Sequence, residues 1–143
     1  MLTQDMLSRT RERVETWNRH DPKAYGAYYR EDATVEDPMY PEPLKGRDAI
    51  SKDFESFLIT FPDTEFRLGT IVAGGDTVAF EVVASGTHKG DLPSPTGPIP
   101  ATNRTIEMRI AAFAQLDDEG LIVDERRYFD MAGILIQLGL MEG

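Results

Sequence analysis

Apolar residues recur at helical spacing near the start of the chain. Met6, Val14 and Trp17, with Leu2 and Leu7, form one stripe, and Arg9, Arg11, Glu12 and Arg13 supply a polar one. This predicts an amphipathic helix over 2–18. Asp21-Pro22 predicts an N-cap followed by proline at the first helical position, opening a short helix that carries Tyr25, Tyr28 and Tyr29. Residues 33–37 read as a short strand, and Pro38, Pro41 and Pro43 make the next stretch a loop. Ile50, Phe54, Phe57, Leu58 and Phe61 lie on one helical face, so a third helix begins after Gly46 and stops at Pro62.

Beyond Asp63 the pattern changes to strands. Residues 64–73 and 77–88 flank the turn Gly74-Gly75-Asp76, and residues 104–116 and 121–129 flank Asp117-Asp118-Glu119-Gly120. Between the two hairpins, residues 90–100 hold four prolines and two glycines. A loop of that length is either a lid over a site or a plain connection. Residues 131–138 predict a closing helix, with Gly139 at its C′ position. Three helices, a meandering sheet and a final helix define an α+β class in one domain spanning 1–143.

Alternation divides the last hairpin into two faces. Ile106, Met108, Ile110, Ala112, Ala114 and Leu116 form an apolar set. The other face holds Thr105, Glu107, Arg109, Ala111, Phe113 and Gln115. If Leu116 pairs with Leu121, Arg109 lies opposite Tyr128 and Glu107 opposite Asp130, with Asp124 and Arg126 on the same mixed face; a slip in register would undo this. Either the apolar face meets the core and the mixed face meets water, or the mixed face lines a cavity and the apolar face packs on a second subunit.

Composition narrows the function classes. With 143 residues the chain can bury a substantial core. A net charge of −10 disfavours nucleic acid and anionic membrane as partners. No cysteine is present, so disulfides and thiolate metal sites are excluded. The opening residues lack the apolar core of a signal peptide, and no apolar run approaches the length of a membrane span, so a cytoplasmic protein is expected. The histidines and carboxylates show no metal-ligand spacing and no phosphate loop occurs, so neither metal nor cofactor is expected.

Several motifs occur in a telling order: Trp17-Asn18 with Asp21, Gly46-Arg47-Asp48-Ala49-Ile50, Phe61-Pro62-Asp63, Gly86-Thr87-His88 with Gly90, Tyr128-Phe129-Asp130, and Gln137-Leu138-Gly139. Together they resemble the SnoaL-like polyketide cyclase family, within the nuclear transport factor 2-like and ketosteroid isomerase-like superfamily. The resemblance implies a cone-shaped α+β barrel, in which a curved antiparallel sheet wraps around N-terminal helices and encloses an apolar pocket. It implies a homodimer that packs through the open face of the sheet. It therefore favours the mixed face as pocket lining and gives the Ile106–Leu116 set an interface role.

The same resemblance implies cofactor-free aldol cyclisation of a polyketide-like or other small polycarbonyl molecule, with an aspartate near the end of the last strand as acid/base. Asp130 matches that position. Characterised members also carry a histidine on the penultimate strand, and 104–116 contains none. Limonene epoxide hydrolases of the superfamily have an aspartate two residues after a strand arginine, and after Arg109 that position is Ala111.

Each candidate has a structural alternative. Asp130 precedes a helix and suits an N-cap. As a base it needs an apolar pocket to raise its pKa. Arg109 can steady an oxyanion or pair with Glu107 or Asp130. His88 can shuttle a proton at a pocket mouth or hold a strand end by hydrogen bonds. Trp17, Glu107, Phe113, Arg126 and Tyr128 are the expected ligand-contacting residues, against plain core or surface roles. A non-catalytic module binding a small apolar ligand in the same pocket is the competing function.

Overall fold

The computed structural model describes residues 2–143. Helix α1 (Thr3–Asn18) leads into α2 (Pro22–Gly26), β1 (Tyr29–Glu36), β2 (Leu44–Lys45) and α3 (Arg47–Thr60). Strands β3 (Glu65–Gly74), β4 (Thr77–Thr87), β5 (Thr105–Leu116) and β6 (Ile122–Tyr128) follow, and α4 (Met131–Gln137) ends the order. The six strands form one curved, unclosed sheet in the order β2-β1-β6-β5-β4-β3. All neighbours are antiparallel except β1 and β6, which run parallel. The concave face holds α1 and α3 against an aromatic core.

Local chemistry accounts for these elements. The Asp21 side chain accepts from the backbone N–H groups of Lys23 and Ala24, and Pro22 takes the first helical position, where its missing N–H costs nothing. Helix α2 ends at Gly26, where a Cβ would collide with Ser51 Oγ of α3. Tyr28 and Tyr29 lie beyond the end of this helix, and Tyr29 opens β1 fully buried. On α1 the inward stripe is Met6, Thr10, Arg13, Val14 and Trp17. Arg13, expected on the wet side, is only 3% exposed, and Leu2, expected inward, is exposed. The arginine is drawn in by a buried partner, Glu125.

The β5–β6 register differs from the Leu116–Leu121 expectation. Leu121 is engaged in the turn, where its carbonyl accepts from Asp117 N–H at 2.8 Å. Leu116 pairs with Ile122, and an irregularity then leaves Gln115 opposite Asp124, so Phe113 faces Arg126 and Ala111 faces Tyr128. The displacement is even, so the grouping of Asp124, Arg126 and Tyr128 with Phe113 and Gln115 survives. Glu107 and Arg109 fall beyond the end of β6 and pair with Ser85 and Val83 of β4 instead.

The faces follow the first of the two alternatives and reverse the assignment that the resemblance favoured. Ile106, Met108, Ala112, Ala114 and Leu116 are buried in the protomer's own core, while Thr105, Glu107, Arg109, Phe113 and Gln115 are exposed on the convex side. The apolar set is thus not an open interface. Helices cover the concave face, and burying a nearly continuous apolar face against their aromatic residues removes more hydrocarbon from water than burying the charged one would.

The proline-rich segment is a strap at the end of α3. Leu92 and Ile99 exchange backbone hydrogen bonds, Leu92 is buried, and Thr60 Oγ1 donates to the Asp91 carbonyl. His88 anchors its base.

Candidate active site

A cavity of about 80 Å³ lies between the helices and the concave face. Its walls are aromatic and aliphatic: Trp17 from α1, Phe54 and Phe57 from α3, Phe66 and Phe80 from β3 and β4, and Met108, Ile110 and Ala112 from β5. Phe54 stacks on Tyr25 with ring centroids 4.2 Å apart, and Trp17 packs edge-on against Phe66 at 5.4 Å. The Trp17 indole N–H is buried and has no partner among the described residues.

One end of the cavity is charged. Glu125, Arg127, Asp37 and Asp53 reach the lining there, beside Tyr25 and Phe129. Arg127 is the hub. Its Nε donates to Glu125 Oε1 at 3.1 Å, Nη1 to Asp37 Oδ2 at 3.1 Å and Asp53 Oδ2 at 3.0 Å, and Nη2 to Tyr25 Oη at 2.6 Å and Tyr29 Oη at 3.4 Å. A guanidinium carries five N–H groups, and each has a partner here. Behind this layer, Glu125 accepts from Arg13 Nη2 at 2.9 Å and from the Tyr29 hydroxyl at 2.6 Å. Tyr40 donates to Asp53 Oδ1 at 2.6 Å, and Met39 N–H donates to Asp37 Oδ1 at 2.8 Å.

These contacts separate the acids. Burial opposes ionisation of Glu125, yet Arg13, Arg127 and the Tyr29 hydroxyl hold its pKa down at about 2. Burial pushes Asp37 above the ordinary aspartate value, with Arg127 and the Met39 N–H offsetting only part of the rise and Asp53 adding to it. Tyr25 is pushed well up, by burial first, so its hydroxyl stays protonated. Tyr25 accepts from Arg127, and no described residue accepts the Tyr25 proton, which leaves one polarised O–H at the cavity. Among the described residues no group of three or more histidines or carboxylates is disposed to hold a metal.

The family model for the SnoaL-like domain matches residues 10–125. The chain belongs to the SnoaL-like domain family. Solved structures agree in fold. AclR of Streptomyces galilaeus, a proposed hydroxylase, superposes with a TM-score of 0.83 at 21% identity, over 99% of this chain and 85% of that one. TsrD of Streptomyces laurentii gives 0.83 at 20%, over 99% and 100%. IdmH of Streptomyces antibioticus, a proposed polyketide cyclase, gives 0.73 at 26%, over 95% and 97%. No curated protein matches the chain significantly.

Within this SnoaL-like domain the expected site residues are dispersed. Trp17 lines the cavity. Asp130 is exposed, accepts from Gly133 N–H at 2.9 Å as the N-cap of α4, and does not line the cavity. Arg109 and Glu107 project from the convex face, and the Glu107 backbone is clasped by the Gln137 side chain. Phe113 and Tyr128 meet edge to face at 6.1 Å on that same surface, with the Arg126 guanidinium 5.6 Å from the Phe113 ring. Arg126 and Tyr128 also border an open groove beside the 38–43 loop, which Asp37 and Arg127 reach as well. His88 is fully buried; its Nδ1 accepts from Thr102 N–H at 3.2 Å and meets Thr102 Oγ1 at 3.0 Å, away from the cavity. No residue of the strap over 89–104 lines the cavity. Among the described residues no helix is long and apolar enough to cross a membrane.

The charged residues of the cavity were not among the expected set. Asp124-Glu125-Arg126-Arg127 puts charge on both faces of β6, so one pair must point inward. Their neighbours on β5 belong to the uninterrupted apolar set, which marks that side as the buried one.

Proposed function

We propose that this SnoaL-like domain is a cofactor-independent acid–base enzyme acting on a small polycarbonyl compound. Asp37 takes a proton from the carbon next to a carbonyl. The Tyr25 hydroxyl, itself receiving a hydrogen bond from Arg127, donates to the enolate oxygen as charge develops there. The enolate carbon then attacks a second carbonyl of the same molecule, and the new alkoxide recovers the proton from Asp37. The apolar walls hold the chain folded on itself and exclude water, which supplies the proximity term. One observation carries this reading: Asp37, held above the usual aspartate range, and the unaccepted Tyr25 proton flank the same apolar cavity. The proposed role of IdmH as a polyketide cyclase supports it.

On the same reading the chain works as a single cytoplasmic domain, and two copies meet on the convex sheet face. A second reading, a binding module without turnover, is favoured by the full set of protein partners on Arg127, which describes a finished scaffold as well as a reactive site. Proton exchange separates the two. In D2O, the protein is expected to accelerate deuterium uptake by the acidic carbons of a β-polyketone ester, followed by NMR. Asp37→Asn should lower that rate by about 10²-fold or more, and Asp130→Asn should leave it unchanged. A rate indifferent to Asp37→Asn would overturn the assignment.

A further inference from the structure

The charge count at the cavity's polar end is unbalanced. Asp37, Asp53 and Glu125 are three carboxylates, and Arg127 and Arg13 are the two guanidiniums paired with them. The excess is one negative charge. Arg13 lies on the far side of Glu125, so the imbalance falls on the Asp37–Asp53 pair, which shares a single Arg127 nitrogen. Half-buried charge of this kind is stabilised by a proton or a cation beside it.

The rest of the lining discriminates between ligand charges. Among the lining residues Arg127 is the cation and every N–H of it is engaged by protein, so an anionic ligand meets carboxylates there, and the unpartnered Nε and Nη1 of Arg13 lie outside the lining. A cation meets carboxylate lone pairs and aromatic faces from Trp17, Phe54, Phe57, Phe66, Phe80 and Phe129. Two of these rings already hold a cation: the Arg13 guanidinium carbon lies 5.3 Å from the Trp17 centroid and 5.5 Å from that of Phe80. The net charge of −10 draws cations toward the protein at longer range.

We propose that the molecule accepted by this cavity carries a protonated amine, held between the aromatic walls and the Asp37–Asp53 carboxylate pair. The proposal rests on the acid–base reading for the carbonyl end of the same substrate and adds a positive group to it. Anionic compounds of the same shape are excluded.

Trp17 is the only tryptophan in the chain and lines the cavity, so its fluorescence reports occupancy. Three probes of one ring size test the proposal with the full chain at neutral pH: benzylamine, benzyl alcohol and benzoate. Benzylamine is expected to bind at least about ten-fold more tightly than benzyl alcohol, with benzoate weakest. Asp53→Asn should collapse the ratio of the first two affinities toward one, and Asp37→Asn gives the same measurement should the first variant fold poorly. The proposal is overturned if benzyl alcohol matches benzylamine, if the ratio survives both substitutions, or if none of the three probes changes the signal. A wild type that accelerates exchange but shows no amine preference removes this proposal alone. A wild type that prefers the amine but does not accelerate exchange removes the acid–base reading alone.

Discussion

Glu125 and Arg127 stand two positions apart on β6, and their side chains meet inside the cone, Arg127 Nε to Glu125 Oε1 at 3.1 Å. This pair turns a strand with charge on both faces into one that carries an ionic cluster into an apolar interior. From it the contacts spread to Asp37, Asp53, Tyr25 and Tyr29, tying β1, α2, α3 and β6 together.

Removing the hub should therefore be costly. Arg127→Met leaves the buried Glu125 and the half-buried Asp37 and Asp53 facing one another with only Arg13 to balance them, a loss of about 3–5 kcal/mol. Arg127→Lys should recover little, because an ammonium has three donors where the guanidinium uses five. Urea unfolding of the two variants checks this. Near-complete rescue by lysine would show that charge alone matters there and geometry does not.

Glu125 sets an acid limit on stability. Its folded pKa of about 2 lies below the ordinary glutamate value of about 4.3. Its contribution is thus complete above the unfolded value and is lost as pH falls toward 2. The gap is worth about 3 kcal/mol. Asp37 works in the opposite sense, since its raised folded value means that acid relieves a strain. The urea midpoint of the wild type should fall between about pH 5 and 2. Glu125→Gln should start lower at pH 7 by about 3 kcal/mol and fall less steeply. Parallel curves for the two proteins would contradict the assignment.

The fold was more legible than the site, for physical reasons. Ile50, Phe54, Phe57 and Phe61 repeat every three or four residues because one side of α3 meets the core, and Gly75 and Gly120 mark turns that need positive φ. The β5–β6 register escaped because the irregularity between Gln115 and Leu116 has no chemical mark in the sequence. Arg13 was misplaced because a charged side chain reads as exposed until its partner, 112 residues away, is known. Asp37 and Asp53 lie 90 and 74 residues from Arg127, and only the folded sheet brings them together. The resemblance carried the cone and the pocket, but drew attention to Asp130, whose local duty is plain from its place before α4.

That duty can be measured. Asp130→Ala removes the acceptor for Gly133 N–H and should cost about 1 kcal/mol, while Asp130→Asn should retain most of the cap. Thermal unfolding of the pair checks it. If alanine and asparagine destabilise equally, the hydrogen bond at 2.9 Å is not what the aspartate contributes.

The convex face supports one more expectation. Val72, Ala79, Phe113 and Arg126 align across β3, β4, β5 and β6 in register. Val72, Phe113 and Tyr128 keep 58%, 40% and 50% of their surface exposed, so the apolar residues there are uncovered in the single chain. Arg126 lies over the Phe113 ring, and Asp124 stands nearby on the same face, 3.9 Å from the guanidinium. A two-fold pairing sets such a patch against its own copy, so apolar surface meets apolar surface and each Arg126 can approach the opposing Asp124. Light scattering after size exclusion should give a dimer for the wild type. Phe113→Lys places a charge at the centre of the patch and sets it against its own copy, so it should give a monomer with unchanged circular dichroism. The cavity lies on the other side of the sheet, so this variant should still bind ligand. A wild type that is monomeric at tens of micromolar would end the dimer reading, and a Phe113→Lys dimer would move the interface to another surface.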